Sequence, residues 1–121
     1  MAYVGDLFTC VDFIVREGSE DEFLSLWHRA SEWAFVNDHS PRSWYLVRDP
    51  DNPQLFRSLT LWPTGTTEED IASDPTAEEF MARCAPICTS VEGKALYLAD
   101  ALGGLTSRLG PQPRSYAVVL G

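Results

Sequence analysis

The segment from Leu7 to Val15 (LFTCVDFIV) constrains this chain more than any other. It is apolar or β-branched almost throughout, with Asp12 as its one charge. Such a run is too short to cross a bilayer as a helix and too continuous for a strand with one wet face, so it reads as a strand covered on both sides. One face carries Leu7, Thr9, Val11, Phe13 and Val15, the other Phe8, Cys10, Asp12 and Ile14. Any fold for this chain must supply an apolar layer on each side of its first strand.

The segments that follow narrow the choice. Gly18 ends the strand, and Ser19 with Glu22 forms a capping box for a helix over about 20–36, along which Phe23, Leu26, Trp27, Ala30 and Trp33 recur at helical spacing. Asn37 to Pro41 (NDHSP) is turn chemistry. Two strand-like runs come next, Ser43 to Arg48 and Leu55 to Trp62, joined by a wide loop whose two prolines keep it out of a central ladder. Thr67 caps a short helical turn to Ala72. Thr76 with Glu79 makes a second capping box, and Phe80, Cys84, Ile87, Cys88 and Val91 predict a helix to about Glu92, kinked or split at Pro86. Gly93 punctuates it, and Ala95 to Leu102 reads as a fourth strand.

The β-α-β unit thus occurs twice. With right-handed crossovers this is an α+β, ferredoxin-like βαββαβ fold: a four-stranded antiparallel sheet with both helices on one face. The other face then lacks cover, and a two-fold homodimer pressing sheet on sheet, a dimeric α/β barrel, is the economical remedy. The domain is expected over 1–102. Residues 103–121 read as a linker ending in an extra strand, Ser115 to Leu120, that pairs with its own sheet or with the partner's.

Composition removes several function classes. At 121 residues and 45% hydrophobic content the chain is one globular domain, burying roughly two-thirds of its unfolded surface. A net charge of -9 would repel a duplex or an anionic membrane over most of the surface, so nucleic acid and membrane are not expected partners. With no apolar run of bilayer length and no leader-like start, the expected location is the cytoplasm. Cys10, Cys84 and Cys88 sit in apolar patterns and read as packed, reduced thiols; no histidine stands beside the last two to complete a metal site.

There is no phosphate loop, HExxH, CxxC or nucleophile elbow, so chemistry has to be sought in a cavity between sheet and helices. Its expected lining is the even face of the third strand, Phe56, Ser58, Thr60 and Trp62, an aromatic wall with two hydroxyls suited to a small, flat, partly polar ligand. Trp44 and Tyr45 of the second strand are further candidates for substrate contact. His39, in the loop after the first helix, is the candidate general base, and Arg83 on the second helix can steady an oxyanion. Asp12 points to the dimer face, where Arg57 is its expected partner.

From Val11 to Leu98 the chain resembles the antibiotic biosynthesis monooxygenase family of dimeric α/β barrels, in VDFIVREG (11–18) before a helix, YLVRDPDNP (45–53), FRSLTLW (56–62) and Phe80. The resemblance implies oxidation of an aromatic, polyketide-like phenol or quinol without flavin, metal or other cofactor. In that chemistry the substrate's own carbanion or phenolate supplies the electrons, and the protein supplies base, orientation and oxyanion stabilisation. Trp62 matches the pocket tryptophan of such enzymes. Some members carry an Asn four residues earlier, where this chain has Ser58, whose hydroxyl also donates. Haem-degrading relatives add an Asn and a His at places held here by Val11 and Ala72, so the resemblance does not extend to haem degradation. A cyclase or isomerase on the same scaffold and a non-catalytic ligand-binding module are the alternative functions.

Overall fold

A computed structural model describes residues 2–34 and 41–100. In chain order they form β1 (Leu7–Val15), α1 (Glu20–Ala34), β2 (Ser43–Arg48), β3 (Leu55–Leu61), α2 (Glu68–Ala72), α3 (Pro75–Cys84), a 3₁₀ turn (Ala85–Ile87) and β4 (Cys88–Tyr97). The strands make one antiparallel sheet in the order β2-β3-β1-β4. This is the ferredoxin-like α+β arrangement, with the most apolar strand, β1, at its interior. His39 and the segments 35–40 and 101–121, including the expected C-terminal strand, lie outside the described residues.

Register divides the sheet into two faces. Phe13 stands opposite Phe56 on β3 and Val91 on β4, so these three residues share a face. That face meets the helices: Phe13 packs on Phe23 of α1 at 5.0 Å between centroids and edge-on to Phe80 of α3 at 5.9 Å, and Phe23 reaches Phe56 at 5.1 Å. Val15, Cys84, Ile87 and Cys88 complete this core. Burying aromatic and aliphatic groups at about 25 cal/mol per Å² is what holds α1 and α3 to the sheet.

The opposite face carries Phe8, Cys10, Asp12 and Ile14 of β1 and Leu55, Arg57, Leu59 and Leu61 of β3. None of β1's residues there is buried, and neighbouring Tyr45 and Val47 of β2 are 62% and 45% exposed. Arg57 donates to both carboxylate oxygens of Asp12, at 2.6 and 3.1 Å, the pairing expected from sequence. This hydrogen bond, more than the charge itself, holds the Asp12 carboxyl below its ordinary range.

Two sequence expectations need correction. The third helix is capped by Asp74, whose Oδ1 accepts from the Thr76 amide at 2.9 Å; Thr76 and Glu79 make no capping box there. Pro75 decides this, because its fixed φ and missing N–H suit the first helical position and move the cap one residue before it. Glu79 instead accepts from Arg83 at 2.8 Å.

The larger correction concerns 85–97. The helix stops at Cys84, Pro86 sits in the 3₁₀ turn, and the last strand runs Cys88–Tyr97 where a helix to Glu92 and a strand over 95–102 were expected. Gly93 lies inside that strand. The misleading signal was the three-residue step from Cys88 to Val91. It arises from a register shift between Ile14 and Val15: Val15 pairs with Cys88 and Phe13 with Val91, so one extra residue on β4 lets both face the core. Past Tyr97 the pairing continues, Leu98 donating to the Asp6 carbonyl and accepting from Gly5 N–H.

Candidate functional site

A cavity of about 620 Å³ opens between the sheet and the helical layer. Its floor is the helix-side face of the sheet, with Thr9 and Val11 from β1 and Ser58 and Thr60 from β3. Trp44 and Trp62 form aromatic walls, and Ile71, Ala72, Phe80 and Met81 close it from α2 and α3. Gly93 and Ala95 of β4 add only backbone and a methyl, which keeps that side open. A Cβ on Gly93 would come to 3.6 Å from Val11 Cγ2, an ordinary contact.

The indole hydrogens of Trp44 and Trp62 are committed within the protein, whereas the buried Trp27 Nε1 has no hydrogen-bond partner among the described residues. Trp44 Nε1 donates to Ser58 Oγ at 3.1 Å, and Trp62 Nε1 donates to Thr9 Oγ1 at 2.9 Å. Trp27 of α1 packs against Trp44 with centroids 5.1 Å apart and rings inclined by 60°. The Trp62 indole hydrogen is therefore directed at Thr9 and not into the cavity. Each hydroxyl accepts an indole hydrogen and retains its own proton to give away.

The predicted site residues separate into groups. Ser58, Thr60, Trp44 and Trp62 come together on the cavity wall. Phe56 lies on the same strand face but is buried in the core between Phe23 and the Arg48 guanidinium, which stands 4.8 Å above its ring. Tyr45 points to the opposite sheet face and cannot see the cavity, as its odd position on β2 dictates. Arg83 is more than half exposed, paired with Glu79, and borders a separate recess between α1 and α3.

Thr9 was missed because the inward stripe of β1 read simply as core. Its signal was present: a lone hydroxyl in an otherwise apolar stripe of Leu7, Val11, Phe13 and Val15. Three carboxylates were also missed as lining groups, Glu68, Asp74 and Glu78. Asp74 is occupied by the cap of α3, and Glu68 accepts a hydrogen bond from the Tyr97 hydroxyl, which raises the Tyr97 pKa.

Cys84 and Cys88 lie beneath this layer and are buried; desolvation pushes the Cys84 thiol up to about 12 and raises Cys88 as well. They are packed thiols in this structure, as the sequence indicated. Among the described residues no group of His, Cys, Asp and Glu is placed to hold a metal ion, and no helix is long and apolar enough to cross a membrane.

No protein-family model and no curated protein matches the chain. Solved structures do. A protein from Bordetella bronchiseptica carrying the provisional name antibiotic biosynthesis monooxygenase aligns at a TM-score of 0.64 and 15% identity, over 80% of this chain and 98% of that one. A protein of the same provisional name from Caulobacter crescentus CB15 aligns at 0.64 and 13%, over 82% and 92%. SO0527 from Shewanella oneidensis aligns at 0.69 and 8%, over 82% and 96%. The class these define is one of fold: the chain has the ferredoxin-like α+β fold found in structures so named, across nearly their whole length.

Proposed function

We propose that this protein is a cofactor-independent oxygenase or oxidase acting on an aromatic, polyketide-like phenol or quinol, and that it works as a homodimer. The observation that carries this reading is an apolar cavity of about 620 Å³ with tryptophan walls and hydroxyl donors on its floor. Its size and lining suit a flat, multi-ring molecule with few polar atoms. The shared fold with proteins provisionally named monooxygenases supports the same direction.

In this reading the substrate is deprotonated, its anion passes an electron to dioxygen, and the radical and superoxide so formed recombine as a peroxide on the ring carbon, which is protonated at its outer oxygen and then loses its O–O bond. The second oxygen leaves as water, and the substrate supplies all the electrons. The hydroxyls of Ser58 and Thr9 hold the substrate's oxygens and favour the anion by donating to it. The expected base, His39, lies outside the described residues; among the lining carboxylates, with Asp74 committed to a helix cap and Glu68 to Tyr97, Glu78 is the one left to take the proton. The dimer places the apolar sheet faces together, covering Tyr45, Val47 and Leu59.

Both indole hydrogens being committed internally favours a second reading, a binding module without turnover. One experiment separates these. The protein is incubated with an anthrone or a quinol, with and without oxygen, while substrate loss and oxygen uptake are followed. Uptake matched to substrate loss, abolished without oxygen, is the expected result. Turnover that persists without oxygen would replace the reading with a cyclase or isomerase, and saturable binding without turnover would replace it with a binding module.

A further inference from the structure

The two indole-to-hydroxyl hydrogen bonds are matched devices on one surface. Thr9 stands opposite Thr60 in the β1–β3 register, and Ser58 lies two residues from Thr60 on the same face. Thr9 and Ser58 are therefore diagonal neighbours, roughly 7 Å apart. Each accepts from a tryptophan on the cavity wall, Thr9 from Trp62 and Ser58 from Trp44.

A hydroxyl that accepts an indole hydrogen is no longer a free rotor. Its remaining lone pair and its proton must point elsewhere. Both residues lie on the two interior strands, whose backbone carbonyls face partner strands on either side and are engaged in the ladders. Apart from the Thr60 hydroxyl that stands between them, the direction left for each proton is the cavity, and both side chains line it. The surrounding wall is mainly apolar, so a donor aimed there without an acceptor is costly and a ligand oxygen that meets it is favoured.

We infer that Thr9 and Ser58 form a two-point donor clamp for a ligand bearing two acceptor oxygens, with Trp62 and Trp44 as positioning residues that aim the two hydroxyl protons. This rests on the cavity being the aromatic-ligand site proposed above, but not on the ligand being oxidised there. Selectivity then resides in paired oxygens on the ligand: a ring system with one oxygen engages half the clamp, and a bare hydrocarbon leaves both donors unmet. The indoles contribute alignment and apolar wall.

The test is equilibrium binding of two probes of nearly one outline: a para-naphthoquinone methylated at both free quinone carbons, which prevents addition to thiols, and the corresponding dimethylnaphthalene. Wild type is expected to prefer the quinone. Thr9→Val and Ser58→Ala should each cut that preference roughly three- to tenfold, the worth of one hydrogen bond, while hydrocarbon affinity holds. Thr9→Ser, which keeps the hydroxyl, should restore the preference. Trp62→Phe, which keeps the hydroxyl but frees it to turn, should lower it partway. Retained hydrocarbon binding reports that each variant is folded, a control that a merely structural role would not separate from the quinone.

An undiminished quinone preference in both Thr9→Val and Ser58→Ala would overturn the clamp. Failure of wild type to bind either probe would overturn it together with the aromatic-site reading. A clamp that behaves as expected in a protein that consumes no oxygen would stand, and only the oxygenase reading would fall.

Discussion

Cys84 and Asp12 contribute to the protein's pH dependence in opposite senses. Desolvation lifts the Cys84 thiol from 9.0 to about 12, so the folded state resists ionisation that the unfolded chain undergoes. Stability from this group is complete below pH 9 and declines as pH rises from 9 to about 12; a denaturant midpoint followed across that range should fall, and Cys84→Ala should flatten the decline. Asp12 works in the opposite sense. Its carboxyl is lowered from 3.8 by the Arg57 hydrogen bonds, so its contribution is present above that value and is lost as pH falls through the lowered one. Asp12→Asn should remove that part of the acid limb. At the site, Glu78→Gln should reduce turnover of an anthrone at least about a hundredfold with little change in affinity, the size expected for loss of a general base. An unchanged rate would move the proton acceptor elsewhere.

Among elements, β4 is the informative one. The strand boundaries of β1 and β2 and the start of α1 follow their residues closely, because alternating or continuous apolar runs bounded by Gly and Pro leave one choice. The last strand was obscured because a bulge makes its core-facing residues recur at a three-residue step, which imitates one face of a helix. Locally only Pro86 and Gly93 speak against the helix; the deciding partners, Phe13 and Val15, are more than seventy residues away. The site was legible in the same uneven way. Ser58, Thr60 and Trp62 could be read from alternation along β3, whereas the pairing of Trp62 with Thr9 depends on register across strands. The cap of α3 is a local matter: Asp74→Ala should cost about 1 kcal/mol in chemical denaturation. Phe13→Ala, which empties the junction of both helices with the sheet, should cost about 3–5 kcal/mol.

For the whole molecule, the helix-free sheet face explains why so much apolar content lies on both sides of the strands. Leu59→Glu with Val47→Glu places like charges in the middle of the proposed dimer surface, and sedimentation should then report a folded monomer where wild type is expected to sediment as a dimer. A wild type that is monomeric at high concentration would dispose of that assembly. The tilted contact of Trp27 with Trp44, rings inclined by 60°, joins α1 to the cavity wall. Two indoles at 5.1 Å are close enough for their electronic transitions to couple, so a circular-dichroism couplet that Trp27→Phe abolishes is the expected optical signature of the folded protein. Its amplitude would gauge whether α1 is seated against the Trp44 wall of the cavity, readable during folding or ligand entry without any added label.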